Sequence, residues 1–182
     1  MQIIKTEIPG VVILEPRVFA DPRGYFFEAF CERDFREQVA DVDFVQDNVS
    51  LSTRGVIRGL HFQRPPFAQA KLVSCLQGRV IDVGVDLRRS SPTFGRHVAV
   101  ELSGANLRQL FLPRGIAHGF AVLSDSALFH YKCDNYYAPA SEAGISILDS
   151  SLGIDWQIDP AQAVLSEKDM KNPLFSDFDS PF

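Results

Sequence analysis

The chain is cut into short pieces. Runs rich in β-branched and aromatic residues last only a few positions before glycine, proline or a polar cluster interrupts them. Such spacing builds an all-β sandwich or barrel, not helical layers. The expected strands are Val11–Leu14, Tyr25–Phe30, Phe44–Ser50, Val56–Phe62, Lys71–Leu76, Val80–Asp86, His97–Leu102, Leu107–Leu112, Gly119–Leu123, Leu128–Cys133 and Ile145–Leu148. Gln77-Gly78, between two such runs, reads as a hairpin turn. Helical pattern is confined to Glu32–Val39 and a short piece near Ser166–Lys171. The 182 residues contain no linker, repeat or low-complexity tract. They read as one domain over residues 1–182, large enough to bury a core without staples. Most of the 15 phenylalanines read as packing between two sheets.

Several function classes are disfavoured at this level. No apolar run approaches the roughly 18 residues of a spanning helix. Met1–Glu7 carries an acid early and lacks the apolar core of a signal peptide. The three cysteines, Cys31, Cys75 and Cys133, are far apart and form no C-x-x-C pair. They read as reduced, mostly buried thiols, and the expectation is a cytoplasmic protein that neither enters a membrane nor is exported. The net charge of −5 argues against a broad nucleic-acid-binding face. It leaves room for an anionic small molecule held by a few cations in one cleft.

Two segments carry histidines in a telling context. Pro113-Arg114-Gly115-Ile116-Ala117-His118 has the P-x-G-x-x-H pattern of the second cupin motif, and Gly59-Leu60-His61-Phe62-Gln63 occupies the place of the first. Metal-binding cupins use H-x-H followed shortly by Glu. Here the second position is Gln63, and no Glu follows between Arg64 and Lys71. His61 and His118 alone are too few for the usual ligand set, so no metal is expected. Strand parity places Lys71, Val73 and Cys75 on one face, and likewise Phe129, Tyr131 and Cys133. Gln46 and Asn48 share a face, as do Phe26 and Glu28. Arg58 and His61 are three apart and would oppose each other on a straight strand, but a bulge at Gly59 would turn both inward. Cationic, amide and aromatic groups around one barrel mouth suit an anionic ligand with a ring.

In order along the chain, Asp21-Pro22-Arg23-Gly24-Tyr25-Phe26-Phe27-Glu28, Gln46-Asp47-Asn48-Val49-Ser50, Arg58–Gln63, Lys71-Leu72-Val73, Asp82–Arg88, Pro113–Phe120 and Tyr131-Lys132-Cys133 resemble the dTDP-4-dehydrorhamnose 3,5-epimerase family. The resemblance runs from about residue 10 to the carboxyl end. It implies a cupin-like double-stranded β-helix (jelly roll) with short terminal helices. It further implies a homodimer, no cofactor, and a dTDP-4-keto-6-deoxyhexose substrate. By its motifs His61 is the base, Asp169 its carboxylate partner, Tyr131 the acid, and Lys71 the group facing the C4 oxygen. Arg58, His118 and Lys168 hold sugar and diphosphate, Gln46 and Asn48 line the same site, and Asp82 lies near the base. Arg23, Phe26, Glu28 and Glu142 contact the nucleotide end, some across the dimer interface. Ser166-Glu167-Lys168-Asp169 also reads as a helix-capping box, a competing use for Asp169. The sequence departs from the family pattern at Arg114, commonly Glu, and at Asp134-Asn135, where Thr usually follows the Tyr131-Lys132-Cys133 string.

The implied chemistry is coherent. Protons at C3 and C5 of a 4-keto sugar are both α to the carbonyl, so removing either gives an enolate delocalised onto O4. An imidazole backed by a carboxylate is a suitable base near neutrality. A fixed ammonium stabilises the developing oxyanion, and a tyrosine hydroxyl protonates the opposite face. The reaction is redox-neutral, in keeping with the lack of a G-x-G-x-x-G turn. Three alternatives remain at this level: a single-centre epimerase of a related keto sugar, a non-catalytic sugar-nucleotide-binding cupin, and a metal-dependent cupin oxygenase, which Gln63 and the missing Glu disfavour.

Overall fold

The computed structural model describes all of residues 1–182. In chain order the strands are β1 (Gln2–Lys5), β2 (Val12–Glu15), β3 (Val18–Asp21), β4 (Gly24–Phe27), β5 (Gln46–Thr53), β6 (Ile57–Gln63), β7 (Lys71–Gln77), β8 (Arg79–Asp86), β9 (His97–Ser103), β10 (Gln109–Leu112), β11 (Ile116–Val122), β12 (Ser126–Cys133) and β13 (Glu142–Gly144). One α-helix, α1 (Glu32–Gln38), follows β4. The strands form a sheet ordered β1-β2-β10-β7-β12-β5, a second ordered β13-β6-β11-β8-β9, and a separate β3-β4 hairpin. This is a cupin-like jelly roll. No helix is long and apolar enough to cross a membrane.

Three apolar clusters hold the layers together. Between the sheets lie Val73 and Cys75 of β7, Val80 of β8, Leu102 of β9, Phe120 of β11 and Phe129 of β12. On the far side of the five-stranded sheet, Leu60, Ile81, Val83 and Ala117 are covered by Ile145, Ile147 and Leu152, with Phe175 and Phe178 packed against them. Across the six-stranded sheet, Phe35 of α1 packs with Leu14, Leu72 and Phe111. Strands β8 and β11 are therefore covered on both faces, which is why they read as near-continuous apolar runs. The β7–β8 turn is made by Gly78 at φ +84°. A Cβ there would lie 2.1 Å from the Ser126 carbonyl oxygen, so only glycine fits.

Ten of the eleven expected strands appear within three residues of their expected ends, and the differences lie elsewhere. Ile145–Leu148 is not a strand; the edge strand is Glu142–Gly144, just before it. Ile145 and Ile147 are buried under the five-stranded sheet, so their alternation records burial without a ladder. Gln2–Lys5 and Val18–Asp21 are strands that were not predicted, the second fully exposed and thus without any polar–apolar alternation. The expected helix near Ser166–Lys171 shrinks to a 3₁₀ turn at Asp169–Lys171, one of several such turns in the last third of the chain. All three cysteines are free, Cys75 and Cys133 buried and Cys31 half-buried.

Candidate active site

The site begins with an irregularity in β6. On β11, His118 pairs with His61 and Phe120 with Arg58, so Gly59 and Leu60 together oppose the single residue Gly119. This is the bulge that the three-residue spacing requires, and it turns Arg58 and His61 to the same side. Gly59 sits at φ +137°, and a Cβ there would lie 2.5 Å from the Gly119 Cα. Arg58 then reaches along the inner face of β5, its Nε donating to Ser52 Oγ at 3.0 Å.

Asp169 arrives from the C-terminal segment. Val164 bridges Val56 in parallel, and five residues further on each segment stand Asp169 and His61, with Nε2 and Oδ1 2.5 Å apart. Between the bridge and Asp169 the C-terminal segment turns into the 3₁₀ segment Asp169–Lys171, which delivers the carboxylate to His61. Asp169 is 3% exposed. Burial alone would raise its carboxyl, but hydrogen bonds from His61, Ser166 and the Gly59 backbone outweigh that and hold it below the ordinary carboxylate value. An ionised Asp169 fixes the proton on Nε2 and leaves Nδ1 of His61 with its lone pair. The capping box forms only by half. The Asp169 N–H donates to Ser166 Oγ at 3.1 Å, but the residue before the short 3₁₀ segment is Lys168, which supplies no side-chain cap, and the Asp169 carboxylate is turned to His61.

His118 and Asp82 form a second pair deeper in the barrel, Nε2 to Oδ2 at 2.9 Å. The His118 ring stacks on Phe129 at 5.9 Å between centroids. Burial raises the Asp82 carboxyl, opposed by His118 and Lys71, and its Oδ1 has no hydrogen-bond partner. Asp82 is fully buried, so it touches the site through His118 and does not open onto the mouth. Lys71 and Tyr131 stand beside this pair. The Lys71 ammonium lies 5.8 Å from the centre of the Tyr131 ring. Burial lowers the Lys71 ammonium, against the pull of Cys133, Asp82 and Glu142. Burial likewise raises the Tyr131 hydroxyl, with Arg58 opposing.

A pocket of about 340 Å³ opens above these groups, lined by Gln46, Asn48, His61, Lys71, Tyr131 and Glu142 among others. At its rim Glu142 accepts from Lys168 at 2.5 Å and from the Tyr137 hydroxyl at 2.6 Å. Burial would raise Glu142, but those two bonds hold it low. Gln63, in the place of a metal-binding histidine, is spent on the rim loops. Its Nε2 donates to the carbonyls of Phe67 and Tyr136, and its Oε1 accepts from Ala138 N–H. Cys133 lines the pocket beside Tyr131, as strand parity implies, and Tyr137 and Gln69, which sequence reasoning does not single out, line it too. The Tyr136-Tyr137 pair beside a turn was the available signal for Tyr137.

Arg23, Phe26 and Glu28 are not in this pocket. Arg23 and Phe26 line a depression on the β3–β4 hairpin, where Phe26 is 69% exposed, and Glu28 lines one beside α1. Glu28, exposed, meets the half-buried Cys31 and Asp34 there with ligating atoms within 4.8 Å, a group that lines a different pocket from His61. The arrangement around His61 offers a carboxylate-backed base, a half-buried ammonium and a protonated phenol to one ligand. That is equipment for moving protons next to a carbonyl.

Comparison with known proteins agrees with this chemistry. The family model for dTDP-4-dehydrorhamnose 3,5-epimerase matches residues 5–177. A dTDP-4-dehydrorhamnose 3,5-epimerase from Shigella flexneri is 53% identical over 180 residues, 98% of either chain. The crystal structure of the enzyme of that name from Elizabethkingia anophelis superposes with a TM-score of 0.93 at 52% identity, covering 97% of both chains. That of a dTDP-6-deoxy-D-glucose-3,5-epimerase from Legionella pneumophila, in complex with dTDP-4-keto-L-rhamnose, gives a TM-score of 0.94 at 49% identity, covering 98% of this chain and 94% of the other.

Proposed function

The chain belongs to the dTDP-4-dehydrorhamnose 3,5-epimerase family, and from that premise we propose a residue-by-residue account of its reaction. The protein is an isomerase that inverts C3 and C5 of dTDP-4-dehydro-6-deoxy-D-glucose, giving dTDP-4-dehydro-L-rhamnose for rhamnose biosynthesis. Residues 1–182 act as one catalytic unit.

His61 Nδ1 removes the proton α to the C4 carbonyl, and Asp169 stabilises the imidazolium that results. The electron pair of the broken C–H bond moves onto O4. There the Lys71 ammonium stabilises it in a half-buried setting, where a fixed charge counts for more than in water. Tyr131 returns a proton to the opposite face of the carbon, and the carbonyl re-forms. Once His61 has released its proton to solvent and Tyr131 has regained one, the same inversion at the second α carbon completes the product, with no electron acceptor required. Arg58, Lys168 and His118 hold sugar and diphosphate, with Gln46 and Asn48 along the wall. Asp82 supports His118. The observation that carries the reading is the His61–Asp169 hydrogen bond at the edge of a pocket shared with Lys71 and Tyr131.

Two copies build one nucleotide site in this reading. Arg23, Phe26 and Glu28 lie outside the His61 pocket of their own chain, on or next to an exposed aromatic hairpin. Val49 and Leu51, on the outward face of β5, are 61% and 69% exposed, an apolar strip suited to a second copy. Glu142, Lys168 and Tyr137 at the rim then meet the nucleotide from the other side.

An NMR time course with dTDP-4-keto-6-deoxyglucose in D₂O tests the function. Deuterium at both C3 and C5 of a rhamno-configured product is expected. Label at one carbon only makes the protein a single-centre epimerase, and none with tight dTDP binding makes it a binding cupin. Loss of turnover on EDTA treatment, restored by one metal, would overturn the metal-free assignment.

A further inference from the structure

We propose that Arg114 and Asp134 form a clip that positions Lys71, a role that rests on the reading of Lys71 as the O4 partner. The two positions at which the sequence departs from the family pattern meet in space. Arg114 Nε donates to Asp134 Oδ2 at 2.8 Å. The clip straddles one strand end. Lys71 is the first residue of β7, paired with Leu112 of β10 on one side and Cys133 of β12 on the other. Arg114 lies two residues beyond Leu112, and Asp134 one beyond Cys133. Their ion pair therefore joins the two neighbours of β7 where the regular ladder stops.

Asp134 also grips the chain between them. Its Oδ1 accepts from the Ala70 N–H at 2.6 Å, and its own N–H donates to the Ala70 carbonyl at 3.2 Å. Asn135 continues the pairing, its carbonyl accepting from Gln69 Nε2 at 2.8 Å. Ala70 is 3% exposed, so without Asp134 its N–H would be a buried orphan immediately before Lys71. The Asp134 carboxylate is 7% exposed, while Arg114 is 51% exposed. A half-exposed ion pair contributes little to stability. Its consequence lies in where the Lys71 stem begins, and thus in how squarely the ammonium meets O4. Displacing a catalytic group by an ångström costs up to about 100-fold in rate.

The test is a double-mutant cycle with Lys71→Met, reading kcat, dTDP affinity and melting temperature. Asp134→Ala is expected to lower kcat about 10–100-fold and Arg114→Ala about 3–10-fold, both with dTDP affinity unchanged. Arg114→Lys restores most of the loss, and Arg114→Ala melts within about 2 °C of the parent. In the Lys71→Met background both alanine variants fall within about twofold of Lys71→Met alone, because the group they position is gone. Equal fractional losses in both backgrounds overturn the clip while leaving the reading of Lys71 intact. Full turnover by Lys71→Met overturns that reading, and the clip with it. Should Asp134→Ala not fold, Arg114→Ala carries the same cycle.

Discussion

His61 and His118 are direct partners across the β6–β11 ladder, yet each holds a different carboxylate. The two pairs are unlike in setting. Asp169 is held ionised by hydrogen bonds that outweigh its burial, whereas burial dominates at Asp82 and pushes its carboxyl upward. His61 is 30% exposed in its side chain and borders the pocket; His118 is 8% exposed and stacked on Phe129. A base must reach substrate and leave with a proton, which selects His61. His118 is instead buried, held between Asp82 and the Phe129 ring.

His61→Asn should therefore lower kcat by about 10²–10⁴-fold, with the dissociation constant for dTDP within a few-fold of the parent. Asp169→Asn should fall in the same direction, since an amide neither fixes the tautomer nor stabilises the imidazolium. Steady-state kinetics with calorimetry of dTDP binding checks both. Near-normal turnover by the His61 variant would remove it from the mechanism.

How much of this was legible beforehand depends on what kind of signal each residue left. Parity sets Arg58 and His61 on opposite faces of a regular strand, and Gly59 marks the place where a bulge could bring them together; the register shift between His118 and Phe120 is that bulge. The common facing of Lys71, Val73 and Cys75 followed the same way. Asp169 was different. Nothing in its spacing links it to His61, and its approach, from a parallel bridge at Val56–Val164 through a turn to a 3₁₀ segment at Asp169, is a tertiary event with no local trace. Only the family resemblance supplied it. Ile145 and Ile147 misled for a related reason, since alternation reports which side chains are buried and not which backbone is paired. Arg114 and Asp134 were visible as departures, but their meeting across the end of β7 required the sheet order.

Lys71 gives a pH signature. Burial lowers its ammonium below the ordinary value of 10.5, and in the proposed mechanism the protonated form is the one that stabilises O4. Activity is then lost as pH rises through the lowered value, so the basic limb of kcat/KM, which reports the free enzyme, lies below 10.5. The Tyr131 hydroxyl, raised above 10.0 by burial, titrates later. Stability moves oppositely: the unfolded chain binds this proton more tightly, so between the two values stability rises with pH. Lys71→Met removes the half-buried charge. It should lower kcat by about 10²–10³-fold, abolish that limb, and leave the melting temperature at pH 7 no lower than the parent's. A defect confined to KM would make Lys71 a binding residue.

Acid stability has a separate source, away from the pocket. Burial alone would raise Asp86, but hydrogen bonds from Arg88, Ser91 and Thr93 hold it down to about 2. Its depressed value means the stability it contributes is present above the ordinary 3.8 and lost as pH falls towards about 2. The network orders the loop from which Arg89 Nε donates to the Ser180 carbonyl at 3.0 Å, tying down the C-terminal tail. Losing one partner of a fully buried pair costs about 3–5 kcal/mol. Arg88 remains 25% exposed, so Asp86→Asn should cost nearer 2 kcal/mol, about 4–8 °C in melting temperature at pH 7. The difference from the parent should shrink between pH 4 and pH 2 in thermal melts, with kcat at 25 °C unchanged. A constant difference across that range would assign the stability to something other than the charge.

Tyr131 separates proton removal from inversion. If His61 takes the proton on one face and Tyr131 supplies one to the other, Tyr131→Phe still forms the enolate. The imidazolium exchanges with solvent and returns deuterium to the face it came from. In D₂O the variant should therefore label C5 or C3 of the substrate while yielding little rhamno-configured product. The phenyl ring preserves the packing against Phe129, whose centroid is 6.4 Å away, and the surface beneath Lys71. Asn48, paired with Tyr131 across the β5–β12 ladder, keeps its place for the same reason. A water beside the ring can act as a weak acid, so slow residual inversion is compatible with the mechanism. The ratio of exchange to inversion, read by NMR against the parent, is the quantity that decides. An unchanged ratio would mean that another group protonates the far face, and Tyr131 would revert to a wall of the pocket.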